Sequence, residues 1–281
     1  MLIYVDILQS RAHYESEISM RVWGKMSKYT QKIESAIALR GTMTVTEMSE
    51  LLSVSDQTVR RIIKPLVDSG KVQKIHGAIQ SIENPMTAPF QTRMQHNRAA
   101  KAAVAATIAN MIEDGQSLAI DTGSTAGFVA QALQVKRNLT IVTNSAYVAS
   151  TLAMMPGNRV FMAGTQLRDH DGAAFDRNAF KVIERMEVNT SILTATQVHP
   201  KRGLLVHEQC EADIANAMAK ISQRSIFAVD QSKFIPATSH EMVQITGLND
   251  NLHLVSDKRP SIEYMKILSA FEVTIAPPIG Q

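Results

Sequence analysis

Two short helical patterns joined by a tight turn, an alternating hairpin pattern behind them, and a long stretch of helical runs alternating with short apolar strands predict an α/β protein in two parts. The first part is a small helix-turn-helix domain with a wing. The second is a larger domain built on a parallel sheet. A chain of 281 residues, 45% hydrophobic, can bury one good core plus a small accessory domain. Composition places an N-terminal extension at residues 1–25, the winged domain at 26–82, a linker at 83–97 and the larger domain at 98–281.

In the first part Val45, Met48, Leu51 and Leu52 recur at helical spacing, so one helix face is apolar. Thr44 or Thr46 can cap its start, and Glu47 and Glu50 sit in the early turns where acidic groups suit the helix dipole. Val54 is expected in the angle between two helices, with Ser55 and Asp56 supplying cap oxygens for the second. Val59, Ile62, Ile63 and Leu66 form the buried face of that second helix, which leaves Gln57, Thr58, Arg60, Arg61 and Lys64 outside. Glutamine pairs bidentately with adenine and arginine with guanine, while lysine suits phosphate, so this exposed set has the chemistry of a helix lying in a DNA major groove.

Pro65 removes a backbone donor and predicts a kink or an early helix end. After Gly70, the alternation from Lys71 to His76 reads as a half-exposed wing strand, and Ser55, Lys74 and His76 join the exposed helix set as expected DNA contacts. From Lys25 to Ile82 nine Lys/Arg face five Asp/Glu, a local excess larger than the net +3 of the whole chain. Positive charge is therefore concentrated where phosphate neutralisation would need it. A helical hairpin with a solvated basic face is the alternative; the agreement of turn, caps, arginine pair and wing argues against it.

Ile82–Pro89, with two prolines and no periodicity, marks the linker, and an Ala-rich helix is predicted from Arg98 to Met111. Ser117–Ile120 then reads as a buried strand, Asp121–Thr125 as a loop and Ala126–Leu133 as a helix. The pattern repeats through the strand Leu139–Val142, the loop Thr143–Ser145, the helix Ala146–Met154 and the strand Arg159–Met162, with a later strand at Ser225–Val229. Such alternation predicts a parallel sheet with helices on both faces and ligands at the carboxyl ends of its strands. There Gly123 allows close backbone approach, Ser124 and Thr125 offer hydroxyls, and the following helix presents free N–H groups to an anion. Lys233 is the candidate formal charge for a phosphate, and Asp121 the partner of a sugar hydroxyl or an orienter of the loop.

The amino-terminal motif resembles that of the DeoR family of bacterial transcription regulators, VS-x-x-T-[IV]-R-R followed by G-x-[LV]-x-[RK]-x-H-G. Here it is Val54-Ser55, Thr58-Val59-Arg60-Arg61, and Gly70 through Gly77, with Ile62 and Ala78 as departures. The resemblance runs on through Asp121-Thr122-Gly123-Ser124-Thr125, Thr143-Asn144-Ser145 and Asp230-Gln231-Ser232-Lys233-Phe234, and spans residues 28 to 275. It implies a sensor domain related in fold to sugar-phosphate isomerases and responsive to phosphorylated sugars, with Thr143 and Asn144 joining the ligand set. Three departures fall in that domain: Ala163-Gly164-Thr165 for paired glycines, Thr194–Val198 for G-A-D-G-[IV], and Asp176 for a glycine. Side chains are added where the family leaves room and one acid is lost, so a pocket with a different preferred ligand is expected. Arg168 and Lys201-Arg202 are candidates for holding a second anionic group, although such residues are more often solvated.

Aromatics make up 5% of residues, so aliphatics and the 15 methionines must fill the interior. The single Cys210 excludes an internal disulfide and is expected to be a buried spectator. Neither a signal-peptide pattern nor a membrane-length apolar run is present, which predicts a cytoplasmic protein without a membrane partner. Met20 and Met26 are alternative starts, and residues 1–25 are expected to be dispensable, a short packed helix being the competing reading. His199, His207 and His240 stand apart from one another and from Cys210, so no metal and no cofactor is expected. The Glu208/Glu211 pair suits a helix start.

The reading favoured is a repressor of a carbohydrate catabolic operon, a dimer or tetramer on double-stranded operator DNA, released by a phosphorylated sugar or related metabolite. The competing reading is a sugar-phosphate isomerase with an appended DNA-binding domain, casting Asp121 and Lys233 as base and electrophile. A third is an activator or architectural DNA protein that ignores metabolites.

Overall fold

A computed structural model describes residues 28–34, 36–37, 42–68, 72–75, 78–81, 90–235 and 242–278. It divides into two compact units, residues 1–88 and 89–281. Residues 1–25, Gly70, Lys71, His76, Gly77, Ile82–Pro89 and His240 lie outside the described residues, and with them the readings of extension, wing tip and linker start.

In the first unit residues 28–34 and 36–37 are helical (α1), followed by β1 (Thr42–Thr44), α2 (Val45–Leu52), α3 (Asp56–Asp68), β2 (Val72–Ile75) and β3 (Ala78–Ser81). Of the two threonines considered, Thr44 is the cap of α2. Its hydroxyl accepts from Glu47 N at 3.2 Å while the Glu47 carboxylate accepts from Thr44 N at 2.7 Å, a reciprocal capping box. Ser53 ends α2 at φ 53°. Ser55 Oγ lies 3.1 Å from Thr58 Oγ1 and opens α3. Val59, Ile62, Ile63 and Leu66 are all buried, with Ile33, Ile37, Met43, Met48, Leu52, Val72 and Ile79, in a single core. Val54 packs against it, as its place in the turn required.

Pro65 does not end α3, which runs three residues further to Asp68. The missing N–H would have bonded the carbonyl of Arg61, and both residues are exposed, so water can satisfy that carbonyl. β2 and β3 form the antiparallel wing, and β1 completes the sheet in the order β1-β3-β2.

The second unit begins with α4 (Phe90–Gln95), a helix in what the sequence predicts to be linker. Its Phe90 and Met94 lie one turn apart and are both 7% exposed, so this segment belongs to the core. Next come α5 (Arg98–Asn110), β4 (Ser117–Ile120), α6 (Ser124–Ala132), β5 (Thr140–Thr143), α7 (Ala146–Ala153), β6 (Arg159–Met162), α8 (Arg177–Ile183) and β7 (Val188–Thr194). They are followed by β8 (Gln197–His199), β9 (Gly203–Val206), α9 (Gln209–Lys220), β10 (Ser222–Ala228), β11 (Val243–Gln244), β12 (Leu252–Ser256), α10 (Ile262–Ile267) and β13 (Phe271–Ile275). Seven strands form a fully parallel sheet in the order β13-β12-β10-β7-β4-β5-β6. β8, β9 and β11 make a small antiparallel sheet for which the sequence carries no strong pattern.

The central strand β4 is buried on both faces, as a parallel sheet covered by helices on each side requires. On β4, Leu118 and Ile120 enter one core with Val104, Ile108, Val129 and Leu152, while Ala119 enters the opposite core with Ile183, Ile214 and Met218. The period of two is that of a strand. From β4 the chain lays down β5 and β6 to one side, then returns to place β7 on the other. The strand order therefore reverses between β4 and β7, and the crevice at their carboxyl ends is where such sheets bind ligands. Among the described residues no helix is long and apolar enough to cross a membrane.

Candidate functional site

In the first unit α3 presents Gln57, Arg60, Arg61 and Lys64 on its exposed face, spaced to lie side by side along one stripe, with the predicted apolar set beneath them. Lys74 is exposed on the wing. Ser55 and Thr58 are differently employed. Their hydroxyls meet each other and Ser55 Oγ accepts from Thr58 N at 3.4 Å, so both serve as the cap that fixes where α3 begins.

In the second unit the loops after β4 and β7 face each other across the reversal of strand order. Thr194 Oγ1 donates to Thr122 O at 2.9 Å and reaches Asp121 Oδ2 at 3.4 Å. Gly123 stands at φ 116°, and a Cβ there would come within 3.1 Å of Thr194 Oγ1, so glycine answers both the dihedral and the close approach. No side chain caps α6, whose first turn carries the buried Ser124 and Thr125. Its N–H groups are thus turned to the crevice with the positive end of the helix dipole.

Asp121 is buried, and burial pushes its carboxyl up to about 7, against the opposing hydrogen bond from Thr122 N and with Glu211 and Asp171 adding to the rise. After β5, Thr143 Oγ1 accepts from Ser145 N at 3.1 Å, and Asn144 Nδ2 donates to Ala174 O at 3.2 Å. Thr143 fixes its own turn, and Asn144, whose carbonyl also accepts from Ala174 N at 2.9 Å, ties the end of the 167–174 loop to the sheet. Thr122 Oγ1, Asn144 Oδ1 and Asp230 Oδ2 remain buried without a hydrogen-bond partner. Three such atoms at one sheet edge mark a place built for a polar guest, because orphaned polar atoms are costly.

The cations come from two directions. Lys233 stands in a 3-10 turn after β10, and burial lowers its ammonium below the usual lysine value although Asp230 opposes this. Part of its side chain stays exposed while the charged end is desolvated. Its charge is felt by Lys101 and Asp230, and it feels that of Arg93 in turn. Lys101, on α5, is 3% exposed, and burial followed by the Lys233 charge takes its ammonium down to about 8. Arg93 on α4 is likewise lowered by burial, with Asp171 and Glu211 pulling the other way.

Sequence reasoning missed Lys101 and Arg93. The signal for Lys101 was present: it shares an apolar stripe with Val104 and Ile108 at i+3 and i+7, an unusual place for a lysine. Arg93 gave none, since it fell in presumed linker.

Arg168, a candidate for a second anion, is already engaged. It lies 2.9 Å from Glu211 and 3.4 Å from Glu208, bonds Asp171, and stacks 4.1 Å from the centre of the Phe175 ring. Burial alone would loosen its proton, but Asp171 and Glu211 carry its pKa above the arginine norm. Arg202 donates to Met242 O at 2.7 Å, and Lys201 is exposed.

Asp176 caps α8 and accepts from Thr165 N and Gln166 N at 2.7 and 2.9 Å, which holds its carboxyl well below the usual range. It braces a turn rather than filling a pocket. Gln197, in the position of the family's second glycine, is buried and donates to Ile235 O at 2.7 Å, tying down the Lys233 segment. Cys210 is half-buried, and burial raises its thiol to about 11, away from nucleophile chemistry. Among the described residues no cluster of three or more His, Cys, Asp and Glu could hold a metal.

Comparison with known proteins bears on both units. Residues 30–84 match the model of the DeoR-like helix-turn-helix domain, and residues 96–258 that of the DeoR C terminal sensor domain. The glycerol-3-phosphate regulon repressor of Escherichia coli is 28% identical over 88% of this chain and 98% of its own. The L-fucose operon activator of the same organism is 25% identical over 82% of this chain and 94% of its own. Among solved structures, ribose 5 phosphate isomerase A from Neisseria gonorrhoeae is similar over 48% of this chain and 53% of that one, with 18% identity and a TM-score of 0.35.

Proposed function

The chain belongs to the DeoR family of transcription regulators, and from that premise we propose that it is a repressor of a carbohydrate catabolic operon, released when a phosphorylated sugar-type metabolite fills the second unit. The observation that carries this reading is the sheet-edge crevice, where an uncapped helix start, the desolvated ammonium groups of Lys101 and Lys233, and three orphaned polar atoms occur together. Backbone N–H groups and ammonium groups suit a phosphate, and Asp121, whose carboxyl burial makes easier to protonate, suits hydroxyls together with Thr122 and Asn144. The ligand set is Asp121, Gly123, Ser124, Thr125, Asn144 and Lys233, with Lys101 added. Thr143 supports the loop.

Turnover is not part of this function. Asp121 is held by Thr122 N and Thr194 Oγ1, and Thr196 stands where the family motif has its acid. A protein that reads an operator acts in the cytoplasm, and as a dimer or tetramer it would present two α3 helices to half-sites about 34–36 Å apart. Regulation then requires only that the effector bind the operator-competent and operator-incompetent states with different affinity. Repression is preferred to activation by analogy with the glycerol-3-phosphate relative.

The test is a thermal-shift screen of phosphate monoesters against the full chain, beginning with sn-glycerol 3-phosphate, since a ligand of the native state raises its melting temperature. A hit should vanish in Lys233→Ala. A screen in which no phosphate ester shifts the transition, while unphosphorylated sugars do, would remove the phosphate from this reading.

A further inference from the structure

Helix α4 is fastened at both ends. At its start Phe90 N donates to His170 O at 3.0 Å. At its carboxyl end Lys101 Nζ donates to the carbonyl of Arg93 at 2.6 Å, a favourable place for a cation because the last carbonyls of a helix carry its negative dipole end. Between α4 and α5 the chain turns at Asn97, which stands at φ 51°, a left-handed conformation that asparagine accepts more readily than most residues. The Asn97 carbonyl accepts from Lys101 N at 3.0 Å, and its side-chain Nδ2 donates to Asp230 Oδ1 at 3.0 Å. Asp230 is fully buried with Oδ2 unpartnered. The elbow between the two helices is therefore held by Lys101, which feels the Lys233 charge, and by Asp230, whose charge Lys233 feels.

We propose that this elbow reports occupancy of the crevice: an anion seated at Lys233 draws the Lys101 ammonium off the Arg93 carbonyl, frees the carboxyl end of α4, and leaves the Asn97–Asp230 hydrogen bond as its pivot. The inference rests on the reading of the crevice as an anion site. A charge-assisted bond from an ammonium to a phosphate oxygen is stronger than one to a neutral carbonyl, so the exchange runs toward the ligand. In the chain, α4 is the first described element after β3 of the DNA-reading unit, so its movement is the one most directly passed along the backbone. Asn97 touches neither anion nor DNA in this scheme. It is a positioning residue.

The experiment uses the full chain, an operator duplex selected from random-sequence DNA, and two probes, inorganic phosphate and sn-glycerol 3-phosphate. Calorimetry gives probe affinity, and fluorescence anisotropy gives operator affinity with and without saturating probe. Asn97→Gly removes the amide while keeping the left-handed backbone accessible. We expect probe affinity within about threefold of wild type, operator affinity without probe unchanged, and a probe-induced weakening of operator binding at least about tenfold smaller than in wild type. A variant that responds in full overturns the elbow. So does a variant whose only defect is lost probe affinity.

Hydrogen exchange on the wild-type protein gives a readout independent of how the variant folds: amides of residues 91–97 should exchange faster with saturating probe, and unchanged protection there also overturns the proposal. If neither probe binds the wild-type chain, the anion-site reading fails and the elbow with it. Binding of a probe with an unaltered elbow sinks the elbow alone.

Discussion

Replacing Asp121 by asparagine separates a structural role of this carboxyl from its charge. Burial pushes the group up to about 7 in the folded chain, while the unfolded chain titrates it near the ordinary 3.8. Between those two values the native state holds a proton that the unfolded state has released. Stability from this group is therefore complete below about pH 4 and declines as pH rises, levelling off above about 7. A gap of about 3 pH units at 1.36 kcal/mol each sets an upper limit of roughly 4 kcal/mol. Asparagine keeps an oxygen for Thr122 N, sets its amide NH2 against Thr194 Oγ1, whose proton is already given to Thr122 O, and does not ionise. Urea denaturation followed by far-UV circular dichroism at pH 5 and pH 8.5 measures the difference. Wild type has by this reckoning lost about 1–2 kcal/mol at pH 5 and about 4 kcal/mol at pH 8.5, so the advantage of Asp121→Asn should widen by about 2–3 kcal/mol between the two. Parallel pH dependences in the two proteins would refute the reasoning, because they would mean that Asp121 titrates as an ordinary surface carboxylate.

Three further outcomes are expected. Arg60→Ala and Arg61→Ala each weaken operator binding by about 1–3 kcal/mol if that arginine reads a base, as a mobility-shift titration would show; unchanged affinity removes the role. Gly164→Ala should lower stability by about 3 kcal/mol or more in a thermal melt, since Gly164 stands at φ 105° and the added Cβ would lie 2.3 Å from Ala174 Cβ. Arg168→Leu should cost about 3 kcal/mol at neutral pH by leaving Asp171 and Glu211 uncompensated, a loss that shrinks as pH falls and those carboxyls protonate. A loss independent of pH would point to the Phe175 stack instead.

What could be read from the chain was local. The helix-turn-helix was legible because caps, apolar stripe and basic stripe all fall within a few turns of one another, and the 121–125 loop because its chemistry is contiguous. What escaped was set by distance in sequence. Asn97 and Asp230 bond across 133 positions, and no window of sequence contains both. Thr194 and Gln197 looked like losses from a family motif, yet their hydrogen bonds to Thr122 and Ile235 show what they do instead. Of the two outcomes Pro65 offered, the early end does not occur, since the carbonyl left without its donor lies beside exposed residues that water can reach. The short α4 was obscured by the prolines ahead of it, although Phe90 and Met94 already stood one turn apart.

That short helix decides how the protein can be taken apart. A fragment begun at Arg98, where composition alone would place the cut, discards two core side chains, each worth about 1.5–3 kcal/mol of apolar burial, and takes from Lys101 the carbonyl that its ammonium bonds. Such a piece would arrive with a greasy notch in its flank and a stranded charge beside it. Anyone wishing to study the metabolite-reading half in isolation should start upstream of Phe90.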